Sequence, residues 1–214
     1  RDLHKEYRRQ REMCIRDSNF RSLDTNNYRS QVAMVDTYPV FFTGTIEENL
    51  RVIRPNVSDR ELEEALHLSG LSRMFKDFPD GLSTEINQFG APLSEGNRTA
   101  LSVTRSLIKQ PRILLLDETL ASLDKLSKVW LLEKLDEIAR GRTLIMATHD
   151  LRFVTNFDSI IVLESGSLSG QGTHSELLET CRPYKDLWEL DRTLSRVGMT
   201  SEDETTMGNP PNAR

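Results

Sequence analysis

Short apolar runs alternate with amphipathic stretches along the middle of the chain. Three of these runs have the length of a strand and little polar content: Val32–Val35, Ile113–Leu116 and Thr143–Ala147. Such runs are typical of parallel strands that are buried on both faces. Lys125–Arg140 carries apolar residues at helical spacing and is closed by Gly141. Strands that alternate with helices in this way predict an α/β fold with a mostly parallel sheet.

A block of helical patterns separates the first two predicted strands. Ser58 and Glu61 form a capping box that predicts a helix ending at Gly70. Ser94–Lys109 repeats apolar side chains at helical spacing. We therefore predict a helical subdomain at about residues 46–110.

The C-terminal third predicts a hairpin and two helices. Ser159–Leu163 is predicted to be a strand that turns back at Gly166 into a second strand. Thr173 and Glu176 form another capping box, which opens a helix, and Tyr184–Leu194 is predicted to be the last helix.

The two ends of the chain differ from its middle. Residues 1–18 are basic and poor in periodic apolar positions. They are predicted to be a solvated arm or, because the run resembles translated adapter or vector sequence, a non-native segment. Residues 196–214 are polar and contain Pro and Gly, which predicts a disordered tail. The folded domain is then expected at residues 19–195.

Composition narrows the class of protein. The chain has 214 residues, of which 37% are hydrophobic and 29% charged, as expected of one globular domain. The net charge of −5 argues against nucleic acid as the main partner. No run approaches the roughly 18 apolar residues of a membrane helix. Cys14 and Cys181 lack metal-ligand spacing and are typical of a reducing compartment.

Asp117 and Glu118 follow directly after the apolar run that begins at Ile113. Open α/β sheets bind ligands at the carboxyl ends of their strands. There, one carboxylate can hold Mg²⁺ and the next can orient or deprotonate a water molecule. The pair alone is weak evidence, because Asp and Glu also end strands that simply face solvent.

His149 follows the next apolar run in the same way. Because neighbouring parallel strands end at the same edge of a sheet, we expect His149 to approach Glu118 and to contact a γ-phosphate. The alternative is an ordinary helix start in which Thr148 or Asp150 is the N-cap.

Ser94 and Gly96 open the predicted helix that runs to Lys109. A serine hydroxyl, a glycine N–H and the helix dipole together can bind an anion such as a phosphate. The alternative is that Ser94 only caps the helix.

In this order and spacing, these features resemble the nucleotide-binding domain of an ATP-binding cassette (ABC) transporter of the exporter type. The resemblance covers Phe20–Leu190 and implies a P-loop NTPase-like fold with a mostly parallel sheet core and a helical signature subdomain. Leu93–Asn97 resembles the family's signature, Ile113–Asp117 its Walker B strand, and Val35–Leu50 its Q-loop and the segment after it.

The resemblance implies roles for individual residues, with ATP and Mg²⁺ as cofactors. Glu118 would be the catalytic base, and His149 the histidine of the family's H-loop. Asp117 and Thr37 would hold Mg²⁺. The residues that would contact ATP, in part the ATP of a partner cassette in a head-to-tail dimer, are Ser94, Gly96, Asn97, Ser122 and Asp124.

The resemblance also implies partners and a location. The partners would be a second ABC cassette, in a homodimer or a heterodimer, and the transmembrane domain of the transporter. The cassette would then lie at the cytoplasmic face of the inner cell membrane, held there by membrane domains that are not in this chain.

The chain departs from the family pattern at three points. It contains no Gly-x-x-x-x-Gly-Lys-Ser/Thr phosphate loop. We therefore expect the first strands and the Walker A loop to be missing, and this fragment to be inactive alone. Thr37 stands where the family has glutamine. In the signature, Glu95 replaces the first glycine and Asn97 the glutamine, which should weaken the contact across the dimer.

Two further functions stay open beside the exporter ATPase. One is a degenerate regulatory or structural cassette that pairs with a competent partner, which Thr37 and Glu95 favour and Glu118 and His149 oppose. The other is a soluble ABC protein that acts on ribosomes or DNA, which the acidic net charge opposes. The transported substrate is not encoded in these residues, because specificity lies in the membrane segments.

Overall fold

The computed structural model describes residues 14–15, 18–19, 24–119 and 123–197. It forms two compact units, one ending at Ala147 and the other beginning at Thr148. Near the N-terminus, Cys14–Ile15 (β1) pairs antiparallel with Ser18–Asn19 (β2). The predicted tail beyond Val197 and most of the predicted arm lie outside the described residues.

A parallel sheet is the centre of the first unit. Its strands, in sequence order, are Val32–Val35 (β3), Ile113–Asp117 (β6) and Thr143–Ala147 (β7). β6 lies between β3 and β7 and pairs parallel with both. Leu114 and Leu116 of β6 are buried, as is Val35 of β3. The predicted α/β class with a mostly parallel sheet is therefore confirmed.

The prediction that β7 is buried on both faces is wrong, although the strand itself is confirmed. β7 is the last strand of this three-stranded sheet, and three of its residues are exposed, including Ile145 with 54% of its surface in solvent. The apolar run identified a strand of a parallel sheet correctly. The apolar run does not show whether other elements pack against one face of the strand or against both.

Helices and one small ribbon connect β3 to β6. The helices are Ile46–Arg51 (α2), Asp59–Ser69 (α3) and Glu95–Ile108 (α4), with 3₁₀ turns at Leu71–Asp77 and Gly81–Ser83. Gly44–Thr45 (β4) and Glu85–Ile86 (β5) form the ribbon. A further helix, Thr25–Gln31 (α1), precedes β3.

Local capping signals place the ends of these helices. The Ser58 and Glu61 side chains form the predicted capping box of α3, and Gly70 ends that helix in the left-handed conformation at a φ of 79°. Ser94 is the N-cap of α4. α4 turns five apolar side chains into the core, namely Ala100, Leu101, Val103, Leu107 and Ile108. Lys125–Ala139 (α5) joins the end of β6 to β7, as the periodicity predicts.

The second unit is a hairpin with two helices. Ile160–Glu164 (β8) pairs antiparallel with Ser167–Gly172 (β9), and His174–Thr180 (α6) and Arg182–Val197 (α7) follow. The predicted hairpin and the capping box of α6 are confirmed, and α7 is longer than predicted. The core of the second unit includes Leu151, Val162, Leu177 and Tyr184.

Among the described residues, no helix combines the length and the apolar composition needed to cross a bilayer.

Candidate functional site

Asp117 and Glu118 lie at the carboxyl end of the central strand. Asp117 pairs with Ala147 of β7, and the Glu118 N–H donates to the Ala147 carbonyl oxygen over 3.0 Å. The side chains of both residues are exposed. Glu118 has a φ of 43°, a left-handed conformation that is uncommon for residues other than glycine. The turn therefore begins at Glu118 and leaves the two side chains at the edge of the sheet.

Hydrogen bonds hold the loop after β3 against the carboxyl end of β6. The Thr37 hydroxyl donates to the main-chain carbonyl oxygen of Asp117 over 3.2 Å. In the same region, the Thr119 hydroxyl donates to the carbonyl oxygen of Val35 over 3.1 Å. The structure thus brings Thr37 beside Asp117, two residues that the sequence predicted for one magnesium site. An ion held by one carboxylate and one hydroxyl would complete its octahedral shell with water and phosphate oxygens.

The first turn of α4 carries the predicted phosphate-binding residues. Ser94 is exposed and its Oγ accepts a hydrogen bond from the Asn97 N–H over 3.2 Å. The capping role of Ser94 is therefore confirmed, and its hydroxyl hydrogen is available to a further acceptor. Gly96 is half-buried and Glu95 is exposed, whereas Asn97 is only 9% exposed.

Asp124 is the N-cap of α5, in the same unit as Ser94. Its Oδ1 accepts hydrogen bonds from the Leu126 N–H over 3.0 Å and from the Ser127 N–H over 3.1 Å. Hydrogen bonds from the Ser127 hydroxyl and these backbone groups lower the pKa of the Asp124 carboxyl. A carboxylate is thus kept ionised at the N-terminus of the helix, where it stabilises the helix dipole. Ser122 lies outside the described residues.

The two N-caps face one cavity of about 460 Å³. Ser94 and Asn97 line it from α4, and Asp124, Ser127 and Trp130 line it from α5. The structure therefore brings the predicted signature residues and the predicted Asp124 to the walls of one space.

His149 belongs to the second unit, so its approach to Glu118 stays a prediction. Its neighbours show the capping geometry of the alternative interpretation. The Asp150 N–H donates to the Thr148 hydroxyl over 3.0 Å, and the Asp150 carboxylate caps the short helix Leu151–Phe153. His149 itself is exposed.

Arg105 of α4 was not predicted from the sequence as a functional residue. Its guanidinium donates to the Val40 carbonyl oxygen over 2.7 Å and lies 5.6 Å from the ring centre of Phe41. Burial lowers the pKa of this guanidinium. Arg105 thereby holds the segment after Thr37 against α4.

That segment forms one wall of a groove of about 340 Å³ with apolar and polar side chains in its lining, here called the Tyr38 groove. Tyr38 and Val40 are 86% and 75% exposed, and Ile53 faces the same space. Arg105 and Lys109 add two cationic side chains to the lining. The signal in the sequence is the run Tyr38-Pro39-Val40, whose three residues all line the groove.

In the described residues, no group of three or more His, Cys, Asp or Glu side chains is arranged to hold a metal ion. A magnesium ion at Asp117 would therefore depend on ligands from a bound phosphate, as is usual for nucleotide sites.

Comparisons with known proteins give a consistent result. A family model described as ABC transporter matches residues 3–121. ABC transporter B family member 3 of Dictyostelium discoideum is 35% identical over 177 residues, and a multidrug export ATP-binding/permease protein of Staphylococcus aureus is 31% identical over 179 residues. A solved bacterial Atm1-family ABC exporter with ATP bound is similar with a TM-score of 0.76, at 29% identity and over 81% of this chain.

The chain spans a minor part of these relatives. The alignments cover 83% of the chain but 12% of the Dictyostelium protein, and 84% of the chain but 31% of the Staphylococcus protein. The match to the solved exporter covers 31% of that protein.

Proposed function

The chain belongs to the ABC transporter family, and on that basis we propose that it is the ATP-binding and ATP-hydrolysing cassette of a membrane exporter. Hydrolysis and export are proposed for the parent transporter, of which this chain would be one part. The observation that carries the proposal is the Asp117–Glu118 pair at the end of the central parallel strand, with Thr37 fastened beside it.

Asp117 and Thr37 would hold the Mg²⁺ of the bound nucleotide. The ion would neutralise charge on the phosphate oxygens during transfer of the γ-phosphoryl group to water. The hydrogen bond from Thr37 to the main chain of Asp117 leaves the Asp117 carboxylate exposed at the sheet edge. This arrangement supports a role for the carboxylate as the principal protein ligand.

Glu118 would be the general base that accepts a proton from the attacking water. Its backbone N–H is held by the Ala147 carbonyl, and its left-handed φ turns the chain away from the strand at this residue. Backbone strain of this kind persists where the surrounding structure enforces it, and is common at functional sites. His149 is proposed to contact the γ-phosphate.

A second cassette, in a homodimer or a heterodimer, would complete each nucleotide site. Ser94, Gly96 and Asn97 are proposed to face the partner's ATP, and Ser122 and Asp124 are proposed to contact ATP as well. The exposed Ser94 hydroxyl and the N-terminus of a 14-residue helix support this role for the signature turn. The burial of Asn97 gives it less access to a partner than Ser94 has.

The Tyr38 groove is the proposed contact with the transmembrane domain. Tyr38, in its lining, directly follows Thr37, so a segment of the transmembrane domain seated there would touch the chain next to the magnesium site. The cassette would then lie on the cytoplasmic side of the cell membrane. The exporter relatives do not favour the alternative of a degenerate, non-hydrolysing cassette.

The test is ATP turnover by the parent transporter with Glu118→Gln. Loss of a general base should lower kcat by roughly 10²- to 10⁴-fold, while ATP still binds. Glu133→Gln, at an exposed position of α5, is the matched control and should keep the wild-type rate. An unchanged kcat in Glu118→Gln would remove Glu118 from the mechanism.

We further propose that the 214-residue chain alone binds ATP weakly and does not hydrolyse it. No phosphate-binding Gly-x-x-x-x-Gly-Lys-Ser/Thr run occurs within it. Equilibrium dialysis of the chain against Mg-ATP tests this directly. A micromolar or tighter dissociation constant would refute it.

A further inference from the structure

Trp130 connects α5 to the C-terminal end of α3. Its Nε1–H donates to the main-chain carbonyl oxygen of His67 over 3.1 Å, and the two rings meet edge to face with centroids 5.2 Å apart. The Arg73 guanidinium lies 4.6 Å from the ring centre, a cation–π distance. The indole is therefore held by a hydrogen bond at its edge and by a cation on its face.

Gly70 makes room for this side chain. A Cβ at Gly70 would lie 2.9 Å from Cδ1 of Trp130, closer than a real Cβ contact allows. Gly70 also ends α3 at a φ of 79°. The close approach of the indole to the backbone thus requires a glycine for two reasons, space and backbone conformation.

The same end of α3 is fastened to α4. A hydrogen bond joins the hydroxyls of Ser69 and Thr104 over 2.7 Å, and both residues are buried. The Thr104 hydroxyl also donates to the Ala100 carbonyl oxygen of α4 over 2.8 Å. Residues 67–70 therefore form a common anchor to which α5 is attached through Trp130 and α4 through Thr104.

The anchor also borders the cavity that the starts of the two helices line. The cavity of about 460 Å³ is lined by the N-cap of α4, Ser94, by the N-cap of α5, Asp124, and by Trp130. Ser69 and Gly70 of the anchor line the same cavity, so the end of α3 and both helix starts share one space. The contacts of Trp130 and Thr104 with the end of α3 attach both helices to that wall of the cavity.

We infer that Trp130 is a positioning residue that fixes the start of α5, at Asp124, relative to the signature turn of α4, at Ser94. This inference rests on the proposed ATPase function, because Ser94 and Asp124, at the two helix starts, are both proposed to contact ATP. α5 follows the loop after Glu118, whereas α4 presents Ser94 to the partner. A shift of α5 is transmitted through the indole and residues 67–70 to α4.

Hydrogen exchange of the 214-residue chain tests the positioning without any ATPase activity. Trp130→Phe keeps an aromatic ring and removes the N–H donor. Amide exchange in a peptide that covers residues 94–104 should become about three- to tenfold faster. That is the change in opening equilibrium expected when the net stabilisation of one hydrogen bond is lost. A peptide over α6, in the second unit, should not change, and unchanged exchange at residues 94–104 would overturn the inference.

A pair of glycine variants separates displacement of the indole from backbone strain. Gly70→Ala forces a methyl group against Trp130, whereas Gly141→Ala introduces the same strain at a φ of 74° with no atom within 4 Å of the new Cβ. Only Gly70→Ala should speed exchange at residues 94–104. Equal effects of the two variants would show that Trp130 has no positioning role.

Turnover by the parent transporter then measures the functional consequence. Trp130→Phe should lower kcat about tenfold with KM for ATP within about twofold, since misplaced groups reduce rate more than ground-state binding. Trp188→Phe, the matched change in the second unit, should leave kcat unchanged. A wild-type kcat in Trp130→Phe would overturn the inference, whereas an unchanged kcat in Glu118→Gln would instead contradict the proposed function.

Discussion

The hydroxyl of Thr37 donates a hydrogen bond to the main-chain carbonyl oxygen of Asp117 over 3.2 Å. Thr37 lies in the loop after β3, and Asp117 is the last residue of β6. Because the bond uses the only hydrogen of the hydroxyl, the oxygen of Thr37 remains an acceptor or a metal ligand. Threonine thus fixes the strand end and still leaves an oxygen lone pair beside Asp117.

We expect Thr37→Val to destabilise the chain by about 1 kcal/mol, the typical net value of one hydrogen bond. Valine has nearly the same shape, so the loss reports the hydroxyl and little else. Thr37→Ser keeps the donor and should retain most of the stability. Urea unfolding of the three proteins measures the difference, and equal midpoints for Val and Ser would show that this bond does not contribute.

The buried side chain of Asn49 holds the segment that contains Phe42 and Thr45. Its amide is fully buried; it accepts from the Phe42 N–H over 2.8 Å and donates to the carbonyl oxygens of Phe42 and Thr45 over 2.8 and 2.9 Å. Asn49→Ala would remove one hydrogen bond from each of these three backbone groups. We expect a loss of about 3 kcal/mol in the free energy of unfolding.

Asn56→Ala is the matched control for this prediction, because Asn56 is exposed. Its effect should stay within about 0.5 kcal/mol. Unfolding is best followed by the fluorescence of Trp130 in a Trp188→Phe background, which reports on the first unit alone. A similar loss in both variants would contradict the role assigned to Asn49.

Elements whose ends carry local signals could be predicted from the sequence. Ser58 with Glu61, and Thr173 with Glu176, form the capping boxes that their spacing indicates. The strand before Asp117 also lies where its apolar run predicts. In each case the residues that decide the structure are close together in the chain, so a short window contains the whole interaction.

Contacts between distant residues could not be predicted in this way. The hydrogen bonds from Thr37 to Asp117 and from Trp130 to His67 join residues far apart in sequence, and each ends on a backbone carbonyl that any residue type would offer. No pattern of residue types marks such an acceptor. The exposure of Ile145 in β7 was missed because it depends on neighbouring layers.

Glu61 makes the stability of the first unit depend on pH. Hydrogen bonds from the backbone N–H and the hydroxyl of Ser58, with the Arg54 guanidinium, lower the pKa of the Glu61 carboxyl from 4.5 to about 2. A carboxyl whose pKa is depressed by folding stabilises the folded state above its unfolded pKa. This contribution is therefore complete above pH 4.5 and is lost as the pH falls towards 2.

Glu61→Gln should consequently be less stable than the wild type at pH 6, and the difference should shrink as the pH is lowered through this window. Urea midpoints at several pH values between 6 and 2.5 give the difference directly. Glu63→Gln, on an exposed position of the same helix, should show no such trend. A difference between wild type and Glu61→Gln that does not vary with pH would contradict the assignment.

The negative charge of the Glu95 side chain has two opposing effects. Glu95 is exposed in the first turn of α4 and directly follows Ser94, so its carboxylate stabilises the helix dipole by about 0.5 kcal/mol. The same charge would repel a phosphate of the partner's ATP that approaches this signature turn. The repulsion acts only when nucleotide is bound, whereas the helix is stabilised at all times.

In the parent transporter, Glu95→Gln should therefore lower KM for ATP by about two- to tenfold, because roughly 1 kcal/mol of repulsion is removed. Glutamine keeps the length of the side chain, so the change reports the charge. The gain should decrease as salt is raised, since screening weakens interactions between exposed charges. Glu133→Gln should leave KM unchanged; an equal KM in Glu95→Gln would mean that the carboxylate of Glu95 does not act on the phosphate.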